Sequence, residues 1–232
     1  MKALSLVFLL LSSICTYGQR LDKVVFKTRV EKYYLSKTCY DLLRWDEIVL
    51  NDKTAENKIN KALRAAVMTY KLDKGDAAPR CRGEMDYEPE FIIRYADKGV
   101  LSYELTSYTY FKGAAHGGRQ FENMNFDLAS GRQIHFRELF DSSHFSDLDT
   151  LMIQRLKARL NLKDEVYLQP YKEQFADPFF ELNDDGINLN FIGESYANSV
   201  VGFGLNWKEI EAWVNKKSVA GAFYTDSKKR KK

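Results

Sequence analysis

The chain has 232 residues, 45% of them hydrophobic and 14% aromatic, which excludes disorder for its body and suits one large domain or two small ones. Its formal charge of +3 comes from 35 basic and 32 acidic residues. Setting aside Lys2 and the terminal run of Lys228, Lys229, Arg230, Lys231 and Lys232 leaves 29 basic against 32 acidic residues, so the body lacks the charge footprint of a nucleic-acid binder.

The N-terminus reads as a signal peptide over residues 1–18. Lys2 supplies the charge, residues 4–14 the apolar run, and Thr16-Tyr17-Gly18 the processing site before Gln19. The run falls short of the ~20 residues a permanent membrane helix needs. A lipid anchor at Cys15 is the alternative, but Ile14 stands where a small residue is wanted and Ser12 where an aliphatic one is. The mature chain is therefore expected to be exported, periplasmic or secreted, with no transmembrane segment. Residues 227–232 read as a disordered basic tail that can touch anionic surfaces.

Val24, Phe26, Thr28 and Val30 alternate with Val25, Lys27, Arg29 and Glu31, which predicts a half-buried strand. Residues 39–50 predict a second. Asn51 or Asp52 then caps a helix whose Ala55, Ile59, Ala62, Leu63, Ala66, Val67 and Tyr70 share a face, and Asp73-Lys74-Gly75 ends it. Residues 76–89 are polar, carry two prolines and read as a loop. Cys39 and Cys81 remain after processing, and in an oxidising compartment they most simply pair. Two buried thiols, or half of a metal site, are the other readings.

Residues 91–95 and 100–111 flank Asp97-Lys98-Gly99, a hairpin signal. Residues 121–128 read as a strand that Ala129-Ser130-Gly131-Arg132 turns into residues 133–136. Ser146 with Asp149 resembles a capping box ahead of Leu148, Leu151, Met152, Leu156 and Leu160. Asp184-Asp185-Gly186 reads as a hairpin turn rather than a calcium loop before Ile187, Leu189 and Phe191. Residues 200–204 form a short strand, and Asn206 with Glu209 opens a third helix carrying Trp207, Ile210, Trp213 and Val214. The order predicts an α+β fold of antiparallel sheets with helices packed on one face, in two successive subdomains, 19–112 and 113–226.

Chemistry is sparse. The chain has three histidines, His116, His135 and His144, and none of the common zinc, nucleophile-elbow or phosphate-loop motifs. No cofactor and no metal are expected. The segment Lys112-Gly113-Ala114-Ala115-His116-Gly117-Gly118 stands out, because its glycines let the backbone bend and approach other groups closely. His116 is either a ligand-contacting or catalytic residue on an exposed loop or an imidazole bonded to a backbone carbonyl. Tyr108, Tyr110 and Phe111 nearby either line a stacking surface or belong to a sheet face.

Tyr110-Phe111-Lys112-Gly113-Ala114-Ala115-His116-Gly117, followed by Asn125-Phe126-Asp127-Leu128, Ser130-Gly131-Arg132 and Glu138-Leu139-Phe140, resembles a bacterial domain of unknown function. That domain forms the extracellular part of lysozyme-sensing anti-sigma factors and the accessory region of peptidoglycan deacetylases. Phe180-Glu181-Leu182, Gly186-Ile187-Asn188-Leu189-Asn190-Phe191 and Val201-Gly202-Phe203 resemble its ending, with Glu194-Ser195-Tyr196-Ala197 in the place of its Tyr-containing loop. Residues 24–110, including Asn57-Lys58-Ile59-Asn60, resemble its companion domain. The resemblance implies an envelope location and a binding role toward lysozyme-like protein or peptidoglycan, with His116, Gly113, Gly117, Tyr110 and Tyr196 as ligand-binding residues. The deacetylase domain, which carries that family's catalysis, has no counterpart here. A small metal-dependent or His-based hydrolase centred on His116 and a structural envelope subunit are the alternatives.

Overall fold

The computed structural model describes residues 24–162, 165–193 and 200–223. The expected signal peptide, Cys15, Tyr196 with its loop, and the basic tail lie outside the described residues. Among these, three antiparallel sheets and five α-helices make an α+β fold.

Strands β1 (Val25–Tyr34) and β2 (Tyr40–Val49) form a two-stranded ribbon in which Val30 faces Arg44. Helix α1 (Lys53–Thr69) packs on it. Asp52 caps α1 by accepting the backbone N–H groups of Thr54 and Ala55 at 2.7 and 3.1 Å. Ala55, Ile59, Leu63 and Val67, four residues apart, form its buried stripe. Asn60 behaves as a strand partner: its amide accepts from the Ile48 N–H at 2.9 Å and donates to the Ile48 carbonyl at 2.8 Å.

Residues 76–89 depart from the expected loop. Asp73 does not end α1 but caps a second helix, α2 (Lys74–Cys81), by accepting from Gly75 N and Asp76 N. Pro79 lies within α2, where a two-turn helix loses a single donor to it. Strand β3 (Met85–Asp97) follows and runs through Pro89. As the edge of its sheet, β3 accommodates a residue with no N–H to give. Cys39 and Cys81 are bridged, with Cα atoms 5.7 Å apart, tying the ribbon to α2.

β3 pairs with β4 (Val100–Phe111), and β4 with β5 (Gly118–Asp127). Lys98 and Gly99, both at positive φ (49° and 82°), make the tight turn between β3 and β4. The faces of this central sheet diverge. Leu101, Tyr103 and Leu105 enter a core with Leu43, Trp45, Ile59, Leu63 and Val67. On the opposite face Val100 joins the second core, while Ser102 and Glu104 are buried polar residues.

That second core is built by α3 (Phe145–Leu160), α4 (Gln169–Lys172), the third sheet β6 (Phe179–Leu182), β7 (Gly186–Ile192) and β8 (Val200–Asn206), and α5 (Trp207–Ile210). Leu148, Met152 and Leu156 of α3 pack into it beside Phe136, Leu189 and Phe191. The expected capping box at Ser146 and Asp149 does not form. α3 begins at Phe145 behind His144, and Asp149 instead pairs with Arg137. Residues 133–136 are no strand: Gln133 makes an isolated bridge to Phe126, and a 3-10 turn over Phe136–Leu139 buries Phe136 and Leu139. Asn206 does cap α5, accepting from Lys208 N, but α5 is one turn long and Glu209 reaches Arg155 of α3. At the turn into β7, Asn183 accepts the Asp185 and Gly186 N–H groups, and a Cβ on Gly186 would stand 1.9 Å from the Leu205 carbonyl oxygen. That contact is with backbone, so Gly186 permits the close β7–β8 approach.

The central and third sheets are joined by a buried polar bridge. Asn125 donates through Nδ2 to the Phe180 carbonyl at 2.7 Å and accepts the Ser102 hydroxyl at 2.6 Å, while the Leu182 N–H donates to Ser102 Oγ at 3.2 Å.

Candidate functional site

The glycine-rich loop between β4 and β5 sits at one end of the central sheet. Lys112 N donates to the Glu84 carbonyl, Ala114 N to the Phe111 carbonyl, and Gly113 takes a φ of +91°. Gly117 is buried and lies against the Tyr108 ring: an added Cβ would come within 2.4 Å of Tyr108 Cζ. Glycine is favoured there by close approach to a movable ring, not by a left-handed backbone. His116 is exposed, and its Nδ1 lies 3.3 Å from the Gly117 carbonyl oxygen. Tyr110 is half-buried, two residues along β4 on the same face as Tyr108. Tyr108, Gly117 and His116 are thus brought together, with Gly113 bending the loop that carries them.

Strand register extends this constellation in a direction the sequence reading missed. Tyr110, Tyr108 and Thr106 face Asp86, Glu88 and Glu90 on β3, while Tyr108 and Thr106 face Arg119 and Phe121 on β5. Paired residues in an antiparallel ladder share a face. The result is a row of exposed carboxylates along the edge, tyrosines in the middle and a guanidinium beyond. A groove of about 540 Å³ opens there, lined by Glu88, Pro89, Glu90, Thr106, Tyr108 and Arg119. The signal was present: buried Met85 and Tyr87 alternate with exposed Asp86, Glu88 and Glu90. Reading this stretch as a proline-containing loop concealed it.

Deeper on the same face, Arg94 forks onto Glu104 through two hydrogen bonds of 2.8 and 2.7 Å. Glu181 of β6 lies near them, and burial pushes its pKa up, opposed by Arg94 and reinforced by Glu104. On the α1-facing side, burial alone pushes the Glu122 carboxyl up. A folded-state pKa above the unfolded one means folding favours the protonated form. The associated stability is full below the ordinary carboxylate range and is lost as pH rises through the raised value. Glu122→Gln is therefore expected to melt at higher temperature than the parent at pH 7. The difference should vanish by about pH 4, read as paired thermal melts across that range.

Gly117→Ala tests the loop contact. The obstructing atoms belong to the end of a tyrosine side chain that is 39% exposed, so the ring can swing aside. The expected stability loss is below about 1 kcal/mol, with a shift in the Tyr108 ring resonances; unchanged resonances would contradict the contact.

The other histidines stand apart. His135 Nδ1 is 3.1 Å from Asp177, and His144 Nδ1 is 3.1 Å from Asp147 while its ring stacks on Trp213. Among the described residues, no three His, Cys, Asp or Glu side chains are grouped to hold a metal ion, and no helix is long and apolar enough to cross a membrane.

By fold this is an α+β module with a central antiparallel sheet between a helix-and-ribbon layer and a second sheet-and-helix core. Two solved structures of the DUF3298 family, a domain of unknown function, share it. One, from Bacteroides fragilis NCTC 9343, is 15% identical with a TM-score of 0.64 and covers 89% of this chain and 100% of its own. The other, from Pseudomonas aeruginosa PAO1, is 15% identical with a TM-score of 0.56 and covers 85% of this chain and 97% of its own. At that identity the likeness is one of fold, and it matches the resemblance to a domain of unknown function read from the Gly-Ala-His motif. No family model and no curated protein matches the sequence.

Proposed function

We propose that the chain is an exported cell-envelope binding module that contacts a lysozyme-like protein or peptidoglycan through the face around Tyr108. The observation that supports it most is the groove itself, where an aromatic ring, two carboxylates and a guanidinium meet on a rigid sheet. A tyrosine face and carboxylate acceptors suit a glycan, whose rings stack and whose hydroxyls donate. The Asp86, Glu88 and Glu90 row equally suits a cationic protein, for which it would raise the encounter rate. The Cys39–Cys81 bridge is compatible with an oxidising compartment. Subdomains divided at 112 and 113 remain part of this proposal, with the loop at 113–117 as their junction and Tyr110 as a neighbour of the groove.

The test is titration with a basic lysozyme-type protein and co-sedimentation with purified peptidoglycan, each over a range of salt. Binding is expected to one of them. Reversing Glu88 and Glu90 to lysine should weaken binding of the basic protein at least about tenfold and flatten its salt dependence. No binding to either ligand at any salt removes the proposal.

A further inference from the structure

Exposed apolar side chains are distributed unevenly. Val25, Phe26, Val30, Tyr34, Tyr40, Leu42 and Val49 all lie on the β1–β2 ribbon, while Tyr108, Phe111 and Tyr167 are the other large hydrophobics exposed among the described residues. Val30, Tyr34, Tyr40 and Leu42 share one face of the ribbon by register. Lys32 lies on that face with its ammonium 3.7 Å from the Tyr40 ring centroid and 5.0 Å from that of Tyr34. Among the described residues β1 pairs with β2 alone, which leaves its outer backbone edge, ten residues long, without a strand neighbour there. A two-stranded sheet is marginal by itself, and an open edge is a template for another strand.

We infer that β1 docks against β1 of a second copy of this chain, antiparallel about a twofold axis through Val30, making a four-stranded sheet across the dimer. The charges and the length of β1 together select this register, because axes through Val25, Phe26, Tyr33 or Tyr34 pair three of its residues at most. A twofold through Lys27, Arg29, Glu31 or Lys32 sets that charge against its own copy, and one through Thr28 sets Lys27 against Arg29. The axis through Val30 instead sets Arg29 against Glu31, Thr28 against Lys32, Lys27 against Tyr33 and Phe26 against Tyr34. Every charged residue of β1 then meets an opposite charge or a neutral side chain. Val30, 59% exposed, meets itself at the centre, and an aromatic pair closes each end. The residues that usually guard an edge strand are here arranged to accept one particular partner, an isologous copy.

Cross-linking across the twofold reads the register directly. Val30→Cys should form an intermolecular disulfide under mild oxidation, because positions facing each other on paired strands lie within disulfide reach. Thr28→Cys, in the same cysteine background, should not, since its copy faces Lys32. In parallel, the parent chain should sediment as a dimer at tens of micromolar, and Val30→Lys should weaken that association about tenfold or more while leaving the melting midpoint unchanged at dilutions where both chains are monomeric. A parent chain that stays monomeric, or Thr28→Cys cross-linking as well as Val30→Cys, overturns the inference.

Discussion

Replacing Cys39 and Cys81 with serine is expected to cost about 4 kcal/mol, because the bridge closes a loop with a sequence separation of 42 and the lost restraint is mainly in the unfolded chain. The melting midpoint should fall by roughly 10 °C for a chain of this size. The effect has a location as well as a magnitude. The bridge joins the tip of the ribbon, where Leu35 N and Ser36 N donate to the Cys39 carbonyl, to the last turn of α2. Hydrogen exchange should therefore accelerate first in β1, β2 and α2, while α3 and β7 keep their protection. A drop of less than about 1 kcal/mol, measured by denaturant titration with and without reductant, would show that packing alone holds the ribbon.

Asn125→Ala should cost about 3 kcal/mol through a different mechanism. Asn125 is 1% exposed and stands between the central sheet and β6. Removing its amide leaves the Phe180 carbonyl without its side-chain donor and the Ser102 hydroxyl with only the long contact to the Leu182 carbonyl at 3.5 Å, among buried residues. Unsatisfied buried groups cost more than the bond itself contributes, so Asn125→Ala should exceed Ser107→Ala, whose hydroxyl makes a part-buried bond to Gln120. Equal losses in the two variants, by chemical denaturation, would show that the bridge is incidental to the union of the two cores.

Much of this fold was legible in the chain. The α1 stripe, the Asp97-Lys98-Gly99 turn and the alternation in β7 each follow from one periodicity or one turn residue, and the structure carries them as read. The two-cysteine count anticipated the bridge. The departures have physical causes. Prolines at 79 and 89 suggested a loop, but Pro79 sits in the second turn of a short helix held at Cys81 by the disulfide, at the cost of one helical hydrogen bond, and Pro89 sits in an edge strand, which tolerates the residue. Ser146 and Asp149 had the right spacing for a capping box, yet Asp149 found a stronger partner in Arg137.

The candidate site was legible only in part. The glycine-rich loop and Tyr110 announced themselves locally. Glu88, Glu90 and Arg119 did not, because they become neighbours of Tyr108 only through strand register, which depends on contacts distant in sequence. The ribbon's self-complementary charge order was likewise written in β1, but it acquires meaning only once β1 is known to be an edge.

Hydrogen exchange on the chain mixed with excess lysozyme-type protein, or with solubilised peptidoglycan fragments, tests the proposed binding face most directly. Protection is predicted in the first half of β3, the second half of β4 and residues 112–118. Protection confined to α3 and the third sheet, with the Tyr108 face exchanging as in the free chain, would contradict it.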